Sequence, residues 1–199
     1  MQDPTQAAPY KRRLGGEEAS YWAMGVYLLT WLAEGKDTEG RYALAEVVIP
    51  KGIGEPPPHT HTREDESYYV LEGEFAFRIG GQTVEAGPGD YVWLPRGIEH
   101  GFELKTERAK ALITITPADL EHFFKRLSEP APRATLPPPP EKPPDYEAVV
   151  ALMEEYGVKL SPPSVSESQG SRDSPPIHPS AWSRNSANFA CTKSSELRL

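Results

Sequence analysis

His59 and His61 are separated by one residue, Glu66 follows five positions later, and His100 comes thirty-four positions after that; these are the side chains of the sequence best suited to chemistry. Residues i and i+2 of an extended strand project to the same side, so both imidazoles of Pro58-His59-Thr60-His61 would point one way, which is half of a metal site. An offset of five would place Glu66 on the opposite face of an unbroken strand, so the polar run Thr62-Arg63-Glu64-Asp65 has to bend the chain between them. His100 must arrive from elsewhere in the fold. Three of the five histidines fall in this pattern.

The elements that must position these residues are short and β-rich. Between residues 20 and 116 apolar and β-branched runs alternate with turn signals at close spacing, which predicts an all-β sandwich or barrel. Tyr21 to Ala33 leads into Gly35-Lys36-Asp37-Thr38-Glu39-Gly40, then Arg41 to Ile49, then Pro50 to Gly54. Glu66 opens the run Glu66-Ser67-Tyr68-Tyr69-Val70-Leu71, which turns at Glu72-Gly73 into Phe75 to Ile79. Gly80-Gly81 is a hairpin turn. Gln82 to Ala86, Asp90 to Leu94, His100 to Leu104 and Lys110 to Ile115 complete the strands.

Beyond the strands, Thr116-Pro117-Ala118-Asp119 reads as a helix start, with Thr116 as cap and Pro117 at the first helical position. Leu120, Phe123, Phe124 and Leu127 fall on one apolar stripe, and His122 lies off it as an exposed residue. The organisation predicted is an arm over 1–19, the barrel over 20–116, a packing helix over 117–133, a Pro-rich linker over 134–144 and a second helix, capped by Asp145, over 145–160. Residues 161–199, rich in Ser, Pro and Asn, read as a disordered extension that need not be native sequence.

Composition narrows the function classes. The 199 residues suffice for one domain with appendages, and a net charge of −8 with a pI near 5.2 argues against nucleic acid. Lys11-Arg12-Arg13 is the one short basic run and reads as a solvated terminus. Glu17 and Glu18 and the absence of a cleavage pattern argue against a secretion signal, and Tyr21 to Ala33 is too short to span a bilayer as a helix. That segment reads instead as strand, apolar on both faces, which makes a homodimer the default expectation. The single Cys191 forms no internal disulfide and suits a reducing cytoplasm.

Two stretches carry a resemblance to a known family. Gly54-Glu55-Pro56-Pro57-Pro58-His59-Thr60-His61, four residues, Glu66, six residues and Gly73 resemble the first motif of the cupins. Gly89, five residues, Pro95-Arg96-Gly97, two residues and His100 resemble the second, with fifteen residues between the motifs. The spacing ahead of His59 and the Leu104 found where Asn is usual depart from the family pattern, but all four liganding positions are filled. The resemblance implies a jelly-roll-type antiparallel β-barrel that holds one divalent transition metal through His59, His61, Glu66 and His100. Three imidazoles and a carboxylate suit Fe, Mn, Ni, Co, Cu or Zn without choosing among them, and the lack of a thiolate argues against a closed structural zinc site.

Among cupins, the single-barrel quercetinase-like dioxygenases look most similar, through this ligand set and the helix trailing the barrel. That implies cleavage of a flavonol or similar hydroxylated ring compound by dioxygen, with Glu66 also taking the substrate hydroxyl proton. Tyr68, Phe75, Phe77, Trp93 and Phe102 are the candidate aromatic pocket residues. Glu46, which interrupts an apolar strand, is a candidate partner standing behind a ligand histidine. The competing reading from another class is a metal-bound cupin that binds or senses a small molecule without converting it.

Overall fold

The computed structural model describes residues 9–140 and 145–161. Within them the chain runs through β1 (Ser20–Ala23), β2 (Tyr27–Ala33), a short α1 (Gly35–Thr38), β3 (Ala43–Pro50), β4 (His59–His61) and β5 (Asp65–Glu72). It continues through β6 (Phe75–Ile79), β7 (Gln82–Ala86), β8 (Tyr91–Leu94), β9 (His100–Leu104) and β10 (Arg108–Thr116). The final elements are α2 (Glu121–Arg126), β11 (Ser128–Pro130), α3 (Tyr146–Glu155) and β12 (Val158–Leu160). No helix among the described residues is long and apolar enough to cross a membrane.

The strands form two antiparallel sheets, one of seven strands in the order β11-β1-β2-β3-β10-β5-β8 and one of five in the order β12-β4-β9-β6-β7. This is the jelly-roll arrangement the sequence predicts, built as two facing sheets rather than one closed ring. Alternation along each strand supplies the core between them. Ala43, Ala45, Ala109 and Ala111 of the larger sheet share one cluster with Phe75, Phe77 and Phe102 of the smaller. Small residues on one sheet leave the volume that rings on the other fill.

Three sequence expectations change in detail. Tyr21 to Ala33 is two strands rather than one, broken at Met24-Gly25-Val26, where Met24 and Gly25 adopt φ of 55° and 66°. Its second apolar face, the reason for expecting a partner subunit, is covered by the chain itself. Leu28 and Val48 pack with Ala131, Ala134 and Leu136, and Trp22 Nε1 donates to Thr135 O at 2.7 Å.

The helix expected over 117–133 is confined to Glu121–Arg126, with Leu120 rather than Thr116 at its N-cap position. Glu121 organises this corner instead, its buried carboxylate accepting from Gly35 N at 2.8 Å and Asp119 N at 2.7 Å. Leu120, Phe123, Phe124 and Leu127 pack against the core as a stripe, and His122 is exposed.

The second helix ends at Glu155, ahead of Gly157 as the sequence suggests, so the rest of the 145–160 segment is not helix. Asp145 does cap it, accepting from Ala148 N at 3.2 Å, but Gly157 takes φ of 76° and the chain re-enters the smaller sheet as β12. Val158 pairs opposite His61 and Leu160 opposite His59, so the strand that carries two candidate ligands is flanked by β9 on one side and β12 on the other. Two hydrogen bonds from Arg126 to Glu155, at 2.7 and 2.8 Å, and the Phe123–Tyr156 ring pair tie α2 to α3. The linker residues 141–144, the extension from 162 to 199 and residues 1–8 of the arm lie outside the described residues.

Gly157 is the tightest point of this return. A Cβ there would lie 2.5 Å from Thr62 Oγ1 and 2.9 Å from Arg63 Nε, on a backbone that already disfavours side chains. Gly157→Val is expected to lower the unfolding free energy by about 1–3 kcal/mol in a urea titration. It should also speed amide hydrogen exchange at Val158 and Leu160 before the rest of the smaller sheet.

Candidate metal centre

The four candidate ligands reach one place from both sheets. His59 and His61 stand on β4 and His100 opens β9, directly opposite His59, all in the smaller sheet. Glu66 belongs to β5 of the larger sheet, between Ile115 and Leu94 on its neighbouring strands. The chain crosses from one sheet to the other at Thr62-Arg63-Glu64, the bend that the five-residue offset demands. One ligand atom from each of the four residues lies within 4.8 Å of all the others, and all four side chains are buried.

Each imidazole is turned by what its Nδ1 meets. His59 Nδ1 lies 2.8 Å from Pro57 O and His100 Nδ1 lies 2.9 Å from Ile98 O. A carbonyl oxygen can only accept, so both rings carry their proton on Nδ1 and keep the Nε2 lone pair for a metal. His61 Nε2 and His100 Nε2 are buried without a hydrogen-bond partner, and they lie 3.7 and 3.8 Å from Glu66 Oε2. Two ligands each about 2.1 Å from one ion stand about 3.0 Å apart when adjacent and about 4.2 Å when opposite, so this spacing brackets a single first-row cation. The donor set therefore fits the metal that its chemistry implies.

Electrostatics act differently on the three imidazoles. Burial, helped by the neighbouring imidazoles His61 and His100, pushes His59 down to about 4, and burial likewise lowers His100. Burial opposes the charged form of His61 too, yet the carboxylates of Glu66 and Glu64 together raise it. The anionic Glu66 is also felt by Tyr27 and Tyr68, whose phenols are raised chiefly by burial and then by that charge.

The turn of the second motif fastens the ligand strands. Gly97 N donates to His61 O at 2.8 Å. The Arg96 guanidinium grips Asp65 through Nε at 3.1 Å and a terminal nitrogen at 2.7 Å, while Arg96 N donates to Asp65 at 2.8 Å. These bonds lower the pKa of Asp65, the residue before Glu66.

The other candidates divide. Tyr68, Phe75, Phe77 and Phe102 form one edge-on and stacked aromatic cluster with centroids 5.1 to 6.2 Å apart. Phe75 and Phe77 are both 0% exposed, so they fill the core and present no surface to a ligand, whereas Tyr68 and Phe102 keep 6% each. Trp93 is not brought to the site: β8 turns Val92 and Leu94 inward, leaving Trp93 57% exposed on the outer face.

Glu46 does not stand behind a ligand either. Ala45 and Val47 of β3 point into the core, so Glu46 faces the opposite side, where it lies beside Gly15 and burial raises its pKa. Sequence reasoning missed Glu64, Tyr27 and the Asp65–Arg96 clamp. Glu64 and Asp65 read only as polar bend residues, and nothing local distinguishes Tyr27 from its apolar neighbours.

Residues 45–125 match the family model described as Cupin domain. Quercetin 2,3-dioxygenase of Bacillus subtilis (strain 168) is 29% identical over 127 residues, 64% of this chain and 37% of that protein. This chain thus spans little more than a third of that relative's length. An uncharacterized protein of Streptomyces coelicolor is also 29% identical, over 54% of this chain and 95% of its own. The crystal structure of an RmlC-like cupin from Shewanella frigidimarina has a TM-score of 0.47 at 23% identity, covering 56% of this chain and 96% of that one.

Protein isolated without chelators is expected to carry about one first-row transition metal ion per chain by mass spectrometry of the digested metal. His100→Ala and the double variant His59→Ala/His61→Ala should each fall to roughly a tenth of that or less. Full metal content in the double variant would overturn the ligand assignment.

Proposed function

Residues 45–125 of this chain form a cupin domain, and from that premise we propose that the protein is a metal-dependent dioxygenase of the quercetinase-like type, cleaving a flavonol or a similar hydroxylated ring compound. The observation that carries the proposal is the convergence of three imidazoles and Glu66 from two sheets, with two Nε2 atoms buried and unpartnered beside the carboxylate. The identity with the Bacillus quercetin dioxygenase supports the choice of chemistry.

A bound divalent metal supplies Lewis acidity and a template for an anionic oxygen donor and dioxygen. The chain's own residues do the rest. Glu66 has two carboxylate oxygens, so it can ligate through one and take the substrate hydroxyl proton on the other. Tyr27 and Tyr68 remain protonated beside it and can donate a hydrogen bond to an incoming oxygen atom. Tyr68 and Phe102, buried but for 6% of their surface each, are the rings of the cluster that could meet a planar substrate, and the enclosed Phe75 and Phe77 pack behind them. Burial of the ligands excludes water from the place where the substrate anion would sit.

Incubation with flavonols under air is expected to bleach the flavonol absorbance, with one dioxygen consumed and one carbon monoxide released per molecule. Glu66→Gln should keep part of the metal yet lower kcat by about 10²-fold or more, because the amide cannot accept the proton. Metal-loaded protein that leaves every flavonol intact would overturn the dioxygenase reading in favour of a cupin that binds a small molecule without converting it.

A further inference from the structure

Five glutamates of the described residues are buried: Glu34, Glu46, Glu64, Glu66 and Glu121. Four of them have an evident occupation. Glu34 pairs with Lys125 and Lys36, Glu46 lies beside Gly15 within the field of Lys110, and Glu121 collects two backbone N–H groups. Glu66 belongs to the candidate metal centre. Glu64 is 1% exposed, and its Oε2 has no hydrogen-bond partner.

That oxygen lies 3.8 Å from His61 Nδ1, which is also buried and unpartnered. A bridging water would hold its two partners about 4.5 Å apart or more, so none fits between these atoms. Closing the gap by less than about 1 Å joins them in a direct bond, the arrangement that satisfies both. The other two ligand histidines already have their Nδ1 atoms on backbone carbonyls, Pro57 O and Ile98 O. His61 is the ring for which the backbone supplies no such acceptor.

We propose that Glu64 is the positioning residue of the centre: it accepts the His61 Nδ1–H, fixes that ring with Nε2 free for the metal, and adds a second negative charge beside the cation site. The proposal rests on reading the four-residue group as a metal centre, but its first consequence belongs to the metal-free protein. A charged acceptor makes the imidazole more electron-rich than a carbonyl does, so His61 becomes the strongest nitrogen donor of the three. Its place in the bend between the sheets lets one short segment carry His61, its acceptor and Glu66 together.

The test is nitrogen-15 NMR of the histidine rings in chelator-stripped full chain, followed by metal titration against a chromogenic chelator. In the wild type, in buffer alkaline enough for all three ligand rings to be neutral, each should be the Nδ1–H tautomer. In Glu64→Ala, His61 alone should move toward the Nε2–H form, while His59 and His100 keep their signals and so report an intact fold. Metal affinity should weaken about 10- to 100-fold. Glu64→Gln, which keeps an acceptor of the same shape without the charge, should preserve the tautomer and lose less affinity. An Nε2–H tautomer for His61 in the wild type, or affinity in Glu64→Ala within twofold of wild type, would overturn the proposal. Wild-type protein that shows the expected tautomers but takes up no metal would instead sink the metal reading.

Discussion

Three imidazoles and a carboxylate are held out of water within 4.8 Å of one another, and the rest of the structure is organised around that constraint. Burying polar groups costs free energy unless each finds a partner, and two Nε2 atoms here find none in the protein. A cation held by all four side chains would offset that cost. The same burial favours the neutral form of His59 and His100, which is the form that binds metal.

Holding such a group together requires ties from several parts of the chain. β4 and β9 supply the histidines and pair directly at His59 and His100, while β5 brings Glu66 from the opposite sheet. The Pro95-Arg96-Gly97 turn reaches both, through Gly97 to His61 and through Arg96 to Asp65. The segment after residue 145, which lies outside the stretch matched to the family model, closes the free edge of β4 with β12. Edge strands move more readily than internal ones, so this added strand stiffens the one that carries two ligands.

The interior beside the centre is divided between packing and access. Alanines on β3 and β10 make room for the aromatic rings of β6 and β9. Phe75 and Phe77 take the enclosed part of that space, and Tyr68 and Phe102 stand at its margin. Tyr27 and Tyr68 add phenols within the field of Glu66.

The sequence by itself determined the donor types and their spacing, the strand alternation, the need for a bend between His61 and Glu66, and the two glycine-punctuated motifs. These are legible because residue type and periodicity are local properties. Alternation also settles that Val92 and Leu94 share one face and Tyr91 and Trp93 the other, but not which of the two faces the core. Only the tertiary structure decided that Trp93 points outward, that Glu46 lies on the far side of β3, and that Phe75 and Phe77 are packing. It also decided that residues 131–136 cover β2, that Val158–Leu160 joins β4 and that Glu64 faces His61 Nδ1. Most of these outcomes depend on pairings between distant parts of the chain, such as Trp22 with Thr135 at a separation of 113 residues and Thr62 with Gly157 at 95. Contacts of that range are fixed by which surfaces meet once the sheets have formed, and no window of neighbouring residues contains that information.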